Sequence, residues 1–336
     1  MDNRITIALC AVVAFGVTAA LGKVLVPWLR RLKVGQTILE IGPKWHKAKE
    51  GIPTMGGLLF AVGVVLVVLV GVVPTAVRHW DAQAFKLLSG VVMALGFGLV
   101  GFWDDYIKVV KKRNEGLNIK QKTAAQVLII GAYLAALWFA YGKAPHMWVP
   151  FAGDIVLPWW FFFPFGAAVL YAAVNAVNFT DGIDGLCTTV TATVATAFTA
   201  VALMLGFAST AATGAALLGA CLGFYCWNRK PAKVIMGDVG ALFLGGMVVA
   251  LGFAIDCPWI LLLFGLVYVI EGASDVIQIG YFKATHGKRI FKMAPIHHHF
   301  ELSGWGELKI VRVFCAVNIV GIVLGFLILT RGGFFA

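Results

Sequence analysis

The chain has 336 residues, 60% hydrophobic and 13% charged, with a formal net charge of +11. Soluble domains carry about 25% charged residues, so this composition excludes an ordinary water-soluble globule. Apolar stretches of about 20 residues recur from end to end, each long enough to cross a hydrocarbon core about 30 Å thick. Backbone polar groups in lipid must be satisfied internally, so these stretches are expected to be helices; the short alternating segments of a membrane β-barrel are not seen.

The expected architecture is all-α: a polytopic integral membrane protein of about ten transmembrane helices, forming a single domain over residues 1–336. In chain order the spans lie near Ile5–Trp28, Pro53–Val73, Ala84–Trp103, Gln121–Tyr141 and Pro158–Val177. They continue near Cys187–Gly206, Ala211–Trp227, Val239–Ile255, Pro258–Tyr281 and Glu307–Thr330. Pro53, Pro158 and Pro258 suit helix starts, where a missing N–H costs little. The first stretch does not read as a signal peptide, because Arg4 is the only basic residue before it and no small-residue cleavage site follows. Between the fourth and fifth spans, Gly153-Asp154 flanked by apolar residues suggests a small hairpin.

The first, third, fifth, seventh and ninth connections share one side and hold nineteen of the 27 Lys and Arg residues. The positive-inside rule makes that side cytoplasmic, and an even number of spans then places both termini outside. The same bias accounts for much of the positive charge without invoking nucleic acid. Six cysteines are present with no Cys-x-x-Cys pair. They read as small buried hydrophobes rather than as disulfides or a thiolate metal site.

The basic-rich side also collects the unusual polar residues. The first connection runs from Lys44 through Lys49 to Pro53-Thr54-Met55-Gly56-Gly57, either an anion-holding turn or a simple positive flank. The third span ends in Trp103-Asp104-Asp105-Tyr106-Ile107-Lys108. Adjacent carboxylates at a membrane boundary are costly unless solvated, paired or metal-bound. Asp104 and Lys108 lie one helical turn apart and can pair, and two acids beside a lysine suit Mg²⁺ and phosphate. The fifth connection, Asn175 to Leu186, has no basic residue yet holds Asn175, Asn178, Asp181, Gly182, Asp184 and Gly185. A spacing of three would put Asp181 and Asp184 on one helical turn. Asp238 opens the eighth span, where an N-cap role suffices to explain it.

The ninth connection contains Ala294-Pro295-Ile296-His297-His298-His299-Phe300-Glu301. No accompanying Cys or Glu-x-x-His set suggests zinc, and the basic surroundings favour histidine donors to phosphate. Glu271 and Asp275 lie one turn apart inside the ninth span, and intramembrane acids are functional by default. A transporter would place its key charges nearer the bilayer midplane; polar connections on one face favour an interfacial enzyme.

Together these motifs resemble the bacterial phospho-N-acetylmuramoyl-pentapeptide transferases, within the polyprenyl-phosphate N-acetylhexosamine-1-phosphate transferase superfamily. The likeness runs from about Lys44 to Glu301, and the histidine segment is the most specific part of it. Ile52 stands where the family usually has Thr, and Val239 and Ala241 where it usually has Thr and Ser. The resemblance implies an enzyme of the bacterial cytoplasmic membrane with its active-site cleft on the cytoplasmic face. It implies Mg²⁺-dependent transfer from UDP-N-acetylmuramoyl-pentapeptide to undecaprenyl phosphate, giving lipid I and UMP. It also implies Mg²⁺ on Asp238 and the reacting phosphates near Asp104 and Asp105, with Asp104 as the proposed base. Lys49, Gly182, Asp184 and Asn228 are expected in the uridine pocket. Asn178, Asp181, Lys108, Lys120, Gln278 and His297 are expected along the diphosphate and catalytic cleft. Asn175, His298 and His299 are further substrate-binding candidates. The family commonly forms homodimers, and no interface is legible here. A sibling transferase acting on UDP-N-acetylglucosamine is the alternative enzyme, and a transporter the alternative of a different class.

Overall fold

The computed structural model describes residues 3–32, 51–78, 80–111 and 116–335. The first connection's basic run, including Lys49, lies outside these. Among the described residues, nine helices are long and apolar enough to cross a membrane, or ten if one bent pair counts as a span. In chain order the helices are α1 (Asn3–Arg31), α2 (Gly57–Val67) continuing into α3 (Val73–Arg78), α4 (Ala82–Val110), α5 (Ile119–Ala140) and α6 (Trp159–Thr180). Then follow α7 (Leu186–Met204), α8 (Ala208–Asn228), α9 (Gly237–Ala254), the pair α10 (Leu261–Phe264) and α11 (Leu266–Ala284), a short α12 (Ile296–Glu301) and α13 (Glu307–Arg331). A two-stranded antiparallel hairpin, β1 (His146–Val149) and β2 (Gly153–Val156), pairs Val149 with Gly153.

Local chemistry sets several boundaries. Asp81 caps α4 by accepting the Ala84 N–H at 2.7 Å, and Asn118 with Gln121 forms a capping box at the start of α5. A π turn over Val68–Val72 joins α2 to α3. It falls just before Pro74, which cannot donate to the preceding turn. The second span starts at Gly57 rather than at Pro53. The Pro53 carbonyl instead accepts from Ile235 at 2.9 Å, and the Gly56 and Gly57 N–H groups donate to Ile235 and Met236, so backbone pairing outcompetes the helix there. All six cysteines are free, and four are buried; Cys226 is exposed, against the buried-hydrophobe reading.

α9 is the axis of the bundle, and every one of its residues except Asp238 is buried. It packs against α2, α4, α6 and α7. Glycines set the closest approaches. A Cβ on Gly57 would lie 2.1 Å from the Gly240 Cα, and one on Gly101 would lie 2.2 Å from the Asp238 carbonyl oxygen. Neither position can accept a side chain without separating the helices.

The ninth span is broken, α11 turning 87° from the short helical segment Pro258–Phe264. A break inside lipid strands backbone groups. Asn318 of α13 reaches across to satisfy them. Its Oδ1 accepts from the Val267 N–H at 3.2 Å, and its Nδ2 donates to the Phe264 carbonyl at 2.9 Å and to Thr193 Oγ1 at 2.8 Å. At the opposite end of the bundle from the acidic motifs, Asp256 ties α4 to the hairpin. Lys86 donates to it at 2.7 Å, Tyr141 donates to it as well, and His146 Nε2 lies 3.6 Å away. Burial opposes ionisation of Asp256, but the hydrogen bonds from His146, Lys86 and Tyr141 outweigh it and hold its carboxyl below the ordinary value. The His146 imidazole is raised, first by Asp256, against partial burial and the Lys86 charge.

Asn318→Leu is expected to lower stability by about 1–3 kcal/mol, the cost of leaving buried backbone groups unsatisfied; thermal unfolding in detergent measures it. His146 contributes stability that is full below its unfolded-state value and is lost as pH rises through its raised folded-state value, because the protonated ring is the carboxylate's partner. The melting temperature should therefore fall across neutral pH in the wild type and less so in His146→Gln. Superimposable pH profiles would exclude this contribution.

Candidate active site

Four helix ends meet at one pole of the bundle. The C-terminal turns of α4 bring Asp104, Asp105 and Lys108, the first turn of α5 brings Lys122, the end of α6 brings Asn178, and the start of α9 brings Asp238. Carboxylate oxygens of Asp104, Asp105 and Asp238 lie within 4.8 Å of one another, and Asp104 and Asp105 are buried.

Three like charges at this distance need counter-charge, and two lysines supply it. Lys108 Nζ lies 2.5 Å from Asp104, 3.7 Å from Asp105 and 3.1 Å from Asp238. Lys122 Nζ lies 2.8 Å from the same Asp238 oxygen, Oδ2, while Asn178 Nδ2 donates to Oδ1 at 2.9 Å. The expected Asp104–Lys108 pairing within one helical turn is present. Asp104 also accepts the Leu117 N–H at 2.9 Å.

Asp238 is not an N-cap. α9 begins at Gly237, so Asp238 lies in its first turn, and the preceding Met236 makes no side-chain cap. The capping acceptor comes from another helix: Asp105 Oδ2 takes the Val239 N–H at 3.1 Å. Asp105 thus ties the α9 N-terminus to α4, where a carboxylate is stabilised by the helix dipole. Val239 contributes through its backbone, so a hydroxyl at that position is not needed for this bond.

Asp181 and Asp184 do not share a helical turn. The segment between α6 and α7 is a tight turn with Gly185 at φ +79°, a conformation that suits glycine and interrupts a helix. Asp181 is half-buried at the end of α6. Asp184 is buried, and its Oδ2 accepts the Ala232 N–H at 3.0 Å while its own N–H meets Glu307 at 3.4 Å. Asn228 is likewise engaged internally: it accepts from the Gly185 N–H and Thr188 and donates to the Val234 carbonyl. These two residues brace the turn that carries Asp181 and Gly182.

The histidine segment forms α12. His297 is fully buried with Nδ1 3.0 Å from Glu271 of α11. His298 Nδ1 lies 2.7 Å from Glu301, and His299 Nδ1 accepts the Lys292 N–H at 3.1 Å. Gln278 holds the segment leading into α12, accepting the Ile290 and Phe291 N–H groups and donating to the Phe291 carbonyl. Asn175 is paired with Gln126 and with the Tyr171 carbonyl.

Two residues of the site were not singled out by sequence. Lys122, rather than Lys120, reaches Asp238; Lys120 is exposed. Residues two apart on a helix point to different faces, so capping at Asn118 fixes which lysine turns inward. Thr54 is buried, and its Oγ1 and Asp105 Oδ2 flank the same point beside Gly237; the Pro-Thr-Met-Gly-Gly motif was its only signal.

The three carboxylates offer hard oxygen donors, which fit a divalent cation such as Mg²⁺ better than a soft metal. Two ammonium groups among them also suit a polyanionic ligand.

Comparison with known proteins agrees with this chemistry. Residues 87–256 match the model of glycosyl transferase family 4, and residues 49–60 match signature 1 of phospho-N-acetylmuramoyl-pentapeptide-transferase. A protein of that name from Acetivibrio thermocellus is 43% identical over 318 residues, covering 94% of this chain and 93% of its own. One from Desulforudis audaxviator is 42% identical over 329 residues, covering 96% and 97%. Another, from Listeria monocytogenes, is 41% identical over 313 residues, covering 93% and 94%. With that similarity running nearly end to end through the helices that build the acidic pole, the chain belongs to the phospho-N-acetylmuramoyl-pentapeptide-transferase family.

Proposed function

We propose that this chain transfers phospho-N-acetylmuramoyl-pentapeptide from its UDP-linked form to undecaprenyl phosphate, releasing UMP and forming lipid I. The observation that carries the reading is the pole where Asp104, Asp105 and Asp238 converge with Lys108, Lys122 and Asn178. The acidic pole faces the cytoplasm of a bacterial inner membrane and both termini lie outside, a topology supported by the one-sided Lys and Arg distribution.

The reaction brings two anions together. An oxygen of the lipid phosphate forms a bond to the sugar-linked β-phosphorus, the bond from that phosphorus to the bridging oxygen breaks, and UMP leaves with the electron pair. Lys108 and Lys122 reduce the repulsion and fix the diphosphate, which is where positioning and electrostatics supply rate. Asp238, with Asp104 and Asp105 beside it, would hold Mg²⁺, which when bound would supply Lewis-acid neutralisation of phosphate charge. Asp105 keeps Asp238 in place by capping its helix. Phosphomonoesters have a second pKa near 6, so the lipid phosphate is largely ionised at neutral pH and Asp104 acts chiefly by position and charge.

Purified protein given Mg²⁺ and undecaprenyl phosphate should release UMP with UDP-N-acetylmuramoyl-pentapeptide and not with UDP-N-acetylglucosamine. Chelation by EDTA should abolish release and added Mg²⁺ should restore it. Release only with the second nucleotide would assign the sibling activity; release with neither would overturn the enzyme reading. Asp104→Asn should lower turnover by about a hundredfold, the scale of a lost electrostatic contribution, by a similar factor from about pH 6 to about pH 9. A loss confined to pH values below the phosphate's second pKa, near 6, would identify Asp104 as the base instead.

A further inference from the structure

Glu271 of α11 and His297 of α12 form a fully buried pair, Oε2 to Nδ1 at 3.0 Å. A buried carboxylate is expensive unless its oxygens are satisfied. Among the described residues, however, neither Glu271 Oε1 nor His297 Nε2 has a hydrogen-bond partner. The pair therefore is not explained as a self-contained structural ion pair.

Its second face explains it better. A Cβ added to Gly182 would lie 2.0 Å from His297 Nε2 and 2.5 Å from the adjoining ring carbon. The imidazole is thus wedged between α11 and the turn after α6, with its unpartnered nitrogen directed at Gly182. Asp181, at the end of α6, adjoins that glycine. The α6 helix also carries Asn178, which donates to Asp238. A ring in this place sets the position of the turn, provided its own orientation is fixed.

An imidazole has two nitrogens, and the partner of one determines which is protonated and where the other points. A carboxylate can only accept, so Glu271 requires a proton on Nδ1. Nε2 is then left toward the Gly182 turn, as an acceptor in the neutral ring or a donor in the charged one.

We propose that Glu271 is a positioning residue for the transfer reaction: by accepting the Nδ1 proton of His297 it fixes the ring so that Nε2 faces the Gly182 turn at the nucleotide-diphosphate end of the cleft. The proposal rests on the functional reading above. It places one intramembrane acid of the ninth span in a defined role, acting through His297 rather than on substrate.

The test combines a double-mutant cycle with a spectroscopic measurement. Glu271→Leu removes the acceptor at similar volume, whereas Glu271→Gln keeps a side-chain oxygen that can still accept from Nδ1. UMP release by Glu271→Leu should fall about tenfold in kcat, with Glu271→Gln retaining activity within about threefold, coupling of the size found between residues in direct contact. In a His297→Ala background, Glu271→Leu should change kcat by less than about twofold, because there is no ring left to orient. Losses that multiply across the cycle would overturn the proposal, as would full activity in Glu271→Leu or a loss in Glu271→Gln equal to that in Glu271→Leu. Solid-state ¹⁵N spectra of histidine-labelled wild-type protein in lipid, assigned with His297→Ala, read the ring directly and need neither turnover nor a Glu271 variant. A protonated Nδ1 is expected, and a neutral ring protonated at Nε2 would overturn the assignment. Absence of UMP release by the wild type would instead remove the functional reading, leaving the ring assignment to stand or fall on the spectra.

Discussion

Everything at the acidic pole depends on how closely α4 and α2 approach α9. Gly101 meets the Asp238 carbonyl and Gly57 meets Gly240 at distances no side chain permits. That approach lets the Asp105 carboxylate reach a backbone N–H of α9 at 3.1 Å and lets Lys108, rooted on α4, reach Asp238. A wider helix spacing would leave the same residues at the same pole without a shared site. In a membrane, where small residues allow backbones to pack closely, such glycines are a direct means of bringing charges from separate helices together.

Once brought together, the charges constrain one another. Three carboxylates within 4.8 Å repel, and the two lysines and Asn178 offset that repulsion through Asp238 and Asp104. The same arrangement suits a polyanionic substrate with a divalent cation, since both the ammonium groups and the carboxylates have an alternative partner to exchange for. The positions differ in duty: Asp105 is committed to the helix terminus, Asp104 divides its oxygens between Lys108 and the Leu117 N–H, and Asp238 is held by the side chains of Lys108, Lys122 and Asn178.

The bundle also accommodates a broken span. The 87° break between the segment Pro258–Phe264 and α11 exposes backbone groups in the apolar interior. Asn318 satisfies both sides of that break from α13. At the far pole, Asp256 with Lys86, Tyr141 and His146 ties the opposite ends of α4, α5 and α9 to the hairpin. Helix ends that carry the site are thereby held at one end by acid–lysine pairing and at the other by a separate charged cluster.

The spans were legible in the sequence because lipid leaves the backbone few choices: continuous apolar length alone forces a helix, and each of the ten expected segments falls on helix, although the third runs on past Trp103 to Val110 and the ninth is a bent pair. The carboxylates were legible because charge near lipid is costly and needs a reason. Other features lay beyond any local pattern. That α2 starts at Gly57 follows from backbone pairing to Ile235 and Met236, distant in sequence. That Lys122 rather than Lys120 meets Asp238 follows from helix phase set by a cap. That Asp181 and Asp184 part company follows from a glycine turn, and that Asp105 caps α9 follows from contact between two helices. The sequence by itself determined which residues could do chemistry and roughly where along the membrane normal they lie, since hydropathy and charge are properties of each segment. Only the tertiary structure decided which of them meet, because meeting depends on helix spacing and rotation, and those are fixed by contacts between segments far apart in the chain. The pole that emerged joins acids from two helices through lysines from two, with a buried glutamate and histidine packed against the turn beside them.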